Sequence, residues 1–584
     1  GGSGLAAKIL YERTDEKTDP LGEENLLIFM TGPFTSTPVP TSGRHAIVGR
    51  SPLTRIWCEC DVGGRWGAML KRAGYDGLVI KGKASSPVYL WISKEKIEIR
   101  DASHLWGQDT YQVDNSLRKE THPQSVIASI GSAGEKLVKL SSIFHDGRDA
   151  RAAGRGGLGA VMGSKHLKAV VVYGHKKTPI AKKEELLASV RKIVPQMRKN
   201  TEFNRKYGTS GGLMNNEEVG DIPIQNWRKG KWEGVKRING IEMARRFSVQ
   251  SYYCGACPIG CGRKIKLDKG SYAGLQGAGP EYETICCLGS NCLVDDLETL
   301  IKANDLCNRY GMDTISVGGV IGFSMEAYEK GLLSHQDCDG MEIKFGDEKI
   351  LLKLIQQIGE GVGLGRLLGQ GVREVARQIG GKAKDFAIEV KGLELPAHDP
   401  RAYFSVAVGY ATSNRGACHL QAYSHGFENS ISIPELSYPE PLDRFAVQGK
   451  GILVAKLQNL MCLFDSLKLC KFSLGAGVRM TSMIEWLNYI TGWNIEQEEF
   501  LLIGERLFNL KRLYNIRCGI TGKDDVLPQR ILIQPRREGG APFSLPPLNK
   551  MLNEYYEYRD WNEGIPTKEK VKELGLQTFL DSKI

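Results

Sequence analysis

A chain of 584 residues, 41% hydrophobic and 25% charged, carries material for more than one buried core, and two or three domains are expected. The formal charge of +11 is spread along the chain, without a basic run or interleaved aromatics, so a solvated basic surface fits better than a nucleic-acid site. Part of that charge can answer bound anions such as cofactor phosphates. Fourteen cysteines are too sparse for a disulfide scaffold, which argues for a reducing, cytoplasmic setting. No run of roughly 18 apolar residues offers a membrane span, and no secretory leader is visible. The opening Gly-Gly-Ser-Gly-Leu-Ala-Ala reads as the middle of a fold, so the native N-terminus is expected to be missing.

The first third is rich in β-branched residues, glycine and turn signals. Short apolar runs at 26–30, 78–81, 88–92, 125–130 and 169–173, bounded by Gly, Pro or charges, predict strands of a β-rich domain. Within it, Thr41-Ser42-Gly43-Arg44 and Asp61-Val62-Gly63-Gly64-Arg65 place glycines beside arginine, which lets backbone approach an anion; a plain tight turn is the competing reading. Arg151 precedes Gly154-Arg155-Gly156-Gly157-Leu158-Gly159, a formal G-x-G-x-x-G. A dinucleotide fingerprint needs a strand before it, a long helix after it and an acid about 20 residues on. Here the next strand is expected at 169 and no acid follows until Glu184, so only an arginine-flanked anion-binding turn is retained.

From Ala181 the pattern changes, and apolar residues at helical spacing over 182–198 begin a helical region. Cys254, Cys257 and Cys261 then form a C-x2-C-x3-C array in which small residues and Pro258 suit a tight loop. Three clustered cysteines with a fourth ligand from elsewhere fit a [4Fe-4S] cluster better than structural zinc, which usually shows two paired units. Glu281-Tyr282-Glu283 follows. Asp295 and Asp296 predict the cap of a helix to about Tyr310, closing in Asn308-Arg-Tyr-Gly311-Met312-Asp313. A related hexapeptide, Asp465-Ser-Leu-Lys468-Leu469-Cys470, ends another helical stretch, and two such ends imply two equivalent binding positions unless the match is chance. Further helices are expected over 366–378 and 496–514. His419 follows the polar turn Asn414-Arg415-Gly416-Ala417-Cys418, where a structural, hydrogen-bonded role competes with a functional one.

Together these motifs resemble the tungsten-containing aldehyde ferredoxin oxidoreductase family over nearly the whole chain. The likeness rests on the residues quoted, with Ala152 to Lys165, Ala411 to His419 and Asp524-Asp525-Val-Leu-Pro528. It implies an α+β multidomain fold, with a β-rich base domain at 1–178 followed by two mainly α-helical domains at 179–396 and 397–584. It also implies tungsten, or molybdenum, held by two pyranopterins beside a [4Fe-4S] cluster, with Mg2+ bridging the pterin phosphates. By the same resemblance, Cys470 is the fourth cluster ligand with Cys254, Cys257 and Cys261. Arg44, Asp61, Gly63, Arg151, Arg155, Asn308, Asp313, Asp465 and Leu469 fall at cofactor contacts, and Glu283 and His419 at the catalytic pair. Two departures stand out: Asn308 replaces the usual Asp, and Lys468 the usual Gly, which puts the local backbone in question.

The implied activity is reversible oxidation of aldehydes to carboxylic acids under anaerobic conditions, with electrons passed to ferredoxin or an iron–sulfur partner subunit in an oligomer or complex. Glu283 is the expected base and His419 the group that bonds the carbonyl or relays a proton. Within the superfamily that the resemblance implies, the nearest rival is an aryl-CoA reductase, which uses the same cofactor to dearomatise a ring; those relatives lack Glu-Tyr-Glu and offer a cysteine near the metal. Cys286, Cys287 and Cys292 are expected to be core residues. A zinc-containing nucleic-acid-binding protein is the alternative from another class.

Overall fold

A computed structural model describes residues 1–93 and 96–580, and its architecture is α+β: a β-rich N-terminal region, then helices. One sheet runs in the order β3-β2-β1-β4, formed by β1 (Leu27–Met30), β2 (His45–Arg50), β3 (Trp57–Val62) and β4 (Gly77–Ile80), with antiparallel pairing. The other follows the order β6-β5-β10-β7-β8-β9. It comprises β5 (Val88–Ile92), β6 (Ile97–Asp101), β7 (Val126–Ser129), β8 (Ile143–His145), β9 (Arg151–Ala153) and β10 (Leu167–Val172), and β5 and β10 pair in parallel. The five predicted apolar runs all lie on these strands.

The two-residue alternation of a strand explains why β1 is apolar throughout. Leu27 and Phe29 face the space between the sheets, with Ile47, Cys60 and Val62 on one side and Ile92, Ala128, Val170 and Val172 on the other. Ile28 and Met30 point the opposite way, onto Ala6, Ala7 and Leu10 of the helix Gly2–Arg13 and onto Leu510 and Leu513 of the helix Gln497–Arg517. The sheet is therefore covered on both faces, and the glycine-rich opening residues are helical.

Strand β3 lacks a clean apolar signal because it carries Glu59 and Asp61, turned toward the interior. Glu59 lies 2.8 Å from Lys511 Nζ, and Asp61 pairs with Lys468, both cations arriving from the helical part of the chain. The G-x-G-x-x-G segment sits between the three-residue strand β9 and the seven-residue helix Leu158–Ser164, too short for a dinucleotide crossover.

Helices follow as the periodicity predicts at Lys183–Asn200, Leu297–Tyr310 and Gln497–Arg517. Asp296 caps the second, its side chain accepting from Thr299 N–H at 2.7 Å. The helix expected over 366–378 is instead two, Gly363–Leu368 and Val372–Ile379, because Gly371 takes a left-handed φ of +90° between them. Cys286, Cys287 and Cys292 lie in the main helical core, as expected. No described helix is long and apolar enough to cross a membrane.

Candidate active site

The cysteine array occupies the loop between β11 (Ser248–Tyr252) and β12 (Gly262–Lys266), two strands whose register closes on the pair Tyr252 and Gly262. Backbone hydrogen bonds knit this loop to two distant segments, and one of these to a third. Gly255 N–H donates to Gly64 O at 2.9 Å, Thr41 N–H to Ala256 O at 2.8 Å, and Cys470 N–H to Thr41 O at 3.2 Å. The fourth expected cysteine is thereby brought to the other three. Gly63 lies so close that a Cβ there would stand 2.9 Å from Cys254 Sγ.

Two arginines face the sulfurs. Arg44 Nη1 lies 3.6 Å from Cys470 Sγ while its Nη2 donates to Asp61 O at 3.0 Å. Arg151 stacks on Tyr252 with 4.9 Å to the ring centre and reaches Glu281 at 3.3 Å. Burial raises the Cys254 thiol and the two guanidinium charges partly offset it; burial and the neighbouring cysteines push Cys257 up to about 12. Crowded thiols of this kind are stabilised as thiolates by a cationic metal centre. Among the described residues the one side-chain set tight enough for a single ion is Glu283, His398 and His419; the four cysteines form no such set.

Beside the cysteines lies a buried charge group. Asp61 pairs with Lys468, and Asp465 with Lys471 at 2.9 Å. Burial alone would raise Asp61, but Lys468 and Lys471 hold it well below the carboxylate range; burial and the charge of Asp61 push Asp465 up to about 7. Leu469 packs in the neighbouring apolar core. The first hexapeptide forms a second locus. Asn308 lies in the last turn of the helix Leu297–Tyr310, its carbonyl accepting from Thr110 Oγ1 at 2.8 Å, and Asp313 caps the helix Thr314–Glu329 while facing Arg155 Nε at 3.8 Å. Arg155 donates to Ala417 O at 2.7 Å and to Glu394 O, tying this locus to the turn that carries His419.

Glu283 lies in the first turn of the helix Tyr282–Leu288. Its Oε2 accepts from Ala397 N–H at 2.8 Å, and its Oε1 is 3.4 Å from His419 Nε2 and 3.8 Å from His398 Nε2. Burial raises the Glu283 carboxyl and lowers His419, which also faces His398 and His425. Glu281 and Tyr282 are engaged elsewhere: Glu281 accepts from Thr209 Oγ1 at 2.6 Å, and Tyr282 OH donates to Ala397 O at 2.8 Å. His398 and its partner Asp221 escaped the sequence reading. The setting of His398 between Pro396 and Pro400 was a usable signal, whereas Asp221 carries none.

Buried polar atoms without a hydrogen-bond partner include, at these loci, Thr41 Oγ1, Arg155 Nε, Arg415 Nε, Glu283 Oε1 and His419 Nδ1. Orphaned donors and acceptors are costly unless a ligand satisfies them. Mixed donors and acceptors beside glycine turns and buried cations fit a polar, anionic pterin cofactor.

Two family profiles match the chain, "Aldehyde ferredoxin oxidoreductase, N-terminal domain" over residues 1–174 and "Aldehyde ferredoxin oxidoreductase, domains 2 & 3" over residues 185–576. The chain belongs to the aldehyde ferredoxin oxidoreductase family. Within it, the tungsten-containing aldehyde ferredoxin oxidoreductase of Pyrococcus furiosus is 41% identical, covering 99% of this chain and 94% of the relative. A second relative from that organism, the WOR-like subunit of an aliphatic sulfonate oxidoreductase, is 31% identical over 99% of this chain and 92% of its own. Among solved structures, the active-site complex BamBC of benzoyl coenzyme A reductase with 1,5-dienoyl-CoA matches with a TM-score of 0.84 and 27% identity. It covers 99% of this chain and 93% of the other. An aldehyde ferredoxin oxidoreductase family chain is an oxidoreductase, and membership leaves the zinc-containing nucleic-acid reading without support.

Proposed function

We propose that this protein oxidises aldehydes to carboxylic acids, reversibly, at a tungsten bis-pyranopterin centre, and passes the electrons through a [4Fe-4S] cluster to ferredoxin or an iron–sulfur partner subunit. The observation that carries the reading is the half-buried Glu283–His419 pair, in which the buried Glu283 Oε1 has no hydrogen-bond partner. Oxidation of RCHO with water to RCOOH releases two electrons and two protons, so the site needs an electron acceptor and a proton acceptor. When bound, a metal–pterin group would supply the first.

The chain's own residues supply the rest. Glu283, anchored at Oε2 by Ala397 N–H, presents Oε1 to take a proton from water as the carbon–oxygen bond forms. His419, kept neutral by burial and neighbouring histidines, donates one hydrogen bond to the carbonyl oxygen and so orients it. Arg44, Asp61, Gly63, Arg151, Asp465 and Leu469 would hold the cofactor on the cluster side, and Asn308, Asp313 and Arg155 on the other. Cys254, Cys257, Cys261 and Cys470 would hold the cluster. Mg2+ between pterin phosphates, domain limits near 178 and 396, and an oligomeric or complexed cytoplasmic protein belong to the same proposal.

The rival, ring reduction of an aryl-CoA, calls for a cysteine at the metal. Cys286, Cys287 and Cys292 are instead packed in the apolar core and raised by burial, which favours aldehyde chemistry. Anaerobically purified protein, analysed for tungsten and iron, is assayed for aldehyde oxidation with a viologen acceptor. Turnover proportional to tungsten supports the proposal; full metal loading with no aldehyde oxidation, or with aryl-CoA reduction alone, refutes it.

A further inference from the structure

Three histidines crowd the space beside Glu283, and only one of them has a carboxylate behind it. His398 Nδ1 lies 2.6 Å from Asp221 Oδ2, and the other oxygen of Asp221 accepts from Asp399 N–H at 2.9 Å. His419 Nδ1 and His425 Nδ1 are buried without a partner. The His398 ring is also held flat: Tyr282 stacks at 5.2 Å and 28°, and His425 at 4.0 Å and 22°. The segment carrying Ala397 and His398 thus anchors Glu283 Oε2 by a backbone N–H and turns His398 Nε2 toward Oε1 of the same carboxylate.

We propose that Asp221 and His398 are positioning residues that reset Glu283, Asp221 fixing the imidazole with its proton on Nδ1 so that Nε2 receives the proton Glu283 has taken. This rests on the aldehyde-oxidation reading. An ionised carboxylate is acceptor-only, so at 2.6 Å the ring must donate from Nδ1, and a neutral ring then keeps its lone pair on Nε2. In the step the O–H bond on Glu283 Oε1 breaks and an N–H bond forms on Nε2, and no electrons change hands. The 3.8 Å gap is of the kind that closes when substrate is bound.

The surrounding charges suit the task. Asp399, whose backbone N–H binds Asp221, has its carboxylate paired with Arg401 at 2.7 Å and Arg536 at 3.1 Å, so it does not compete for the His398 proton. Burial alone would lower His398, but Asp221, and to a smaller extent Glu283, pull it upward. His419, at 5.3 Å between ring centres, and His425 are held neutral by burial, and Arg155 faces Glu283 from the hexapeptide side. His398 therefore accepts a proton from Glu283 at pH values above its own raised pKa and passes it to water before the next turnover.

Asp221→Asn separates this role from a structural one, because an amide can donate to Nδ1 and force the ring proton onto Nε2. Wild type, Asp221→Asn, Asp221→Glu and Glu283→Gln are compared as holoenzymes of matched tungsten and iron content. In Asp221→Asn kcat is expected to fall about 10- to 100-fold with KM little changed, and the acid limb of the kcat–pH profile to move to lower pH. Asp221→Glu should restore part of both. Nitrogen-15 spectra of histidine-labelled holoenzyme should show His398 protonated at Nδ1 in wild type and at Nε2 in Asp221→Asn. A wild-type rate and unmoved pH profile in Asp221→Asn, while Glu283→Gln is inactive, overturns the relay and leaves the aldehyde reading intact. If fully loaded wild type oxidises no aldehyde, that reading fails instead, and an Nε2-protonated His398 in wild type overturns the proposed positioning independently of any activity. If Asp221→Asn fails to load metal, the wild-type spectrum and the Asp221→Glu profile decide.

Discussion

Lys468 adopts, with φ +67°, the left-handed conformation that Gly311 adopts with φ +76° at the equivalent position of the other helix-end hexapeptide. The two helix ends therefore turn alike although one uses a side chain that disfavours the turn. A left-handed non-glycine residue costs ~1–2 kcal/mol, whereas removing one partner of a buried ion pair costs ~3–5 kcal/mol. Lys468 is held there by its pairing with Asp61. Lys468→Gly is expected to relieve the strain yet lose about 2–3 kcal/mol net, and Lys468→Met, which keeps the strain, to lose more. Denaturant unfolding of the two variants checks the order; a stabilised Lys468→Gly contradicts it.

Gly63→Ala should disturb the cysteine loop without touching a cysteine. The new methyl meets Cys254 Sγ at 2.9 Å, and overpacking of this kind costs ~1–3 kcal/mol when neighbours cannot yield. The loop is pinned by Gly255 and Ala256, so the expected outcome is reduced iron per chain with most of the fold's stability retained. Iron analysis and unfolding curves separate the two effects.

Cys470→Ala is expected to lose or degrade the cluster while Cys254, Cys257 and Cys261 remain in place. Iron per chain and the low-temperature EPR spectrum of the reduced protein report it. Four irons and an unchanged signal would exclude Cys470 as a ligand.

Glu283→Gln should lower kcat by about 100- to 10,000-fold at near-normal tungsten content, and His419→Asn by less, since a hydrogen-bond donor survives. Burial holds the Glu283 carboxyl above its ordinary range, with His398 and the Ala397 N–H offsetting part of the shift. A general base must be ionised, so wild-type activity should fall with decreasing pH along a limb lying above the usual carboxylate range. Steady-state rates across pH, normalised to tungsten, test both statements.

Asp525→Asn is expected to destabilise the protein by ~3–5 kcal/mol without altering the chemistry directly. Asp525 is 1% exposed and takes both Arg512 nitrogens at 2.9 Å and Lys391 at 2.8 Å, leaving two buried cations short of a counter-charge when it is neutralised. Thermal unfolding of metal-loaded protein gives the measurement.

The amino-acid sequence alone determined the features that depend on near neighbours in the chain. Apolar runs became β1, β4, β5, β7 and β10, the Asp296 cap began its helix, and C-x2-C-x3-C became a tight loop closed by the β11–β12 register. Periodicity, capping and turn chemistry act over a few residues, so they are readable without a fold. Tertiary structure alone decided which charges are interior. Glu59 and Asp61 made β3 unreadable as a strand because the lysines that neutralise them lie 452 and 407 residues away in the chain. Likewise, nothing local marks Asp221 as a partner of His398, separated from it by 177 residues. Burial makes an unpaired charge costly, and the cost is met by whichever element the fold brings opposite; that choice is a property of packing.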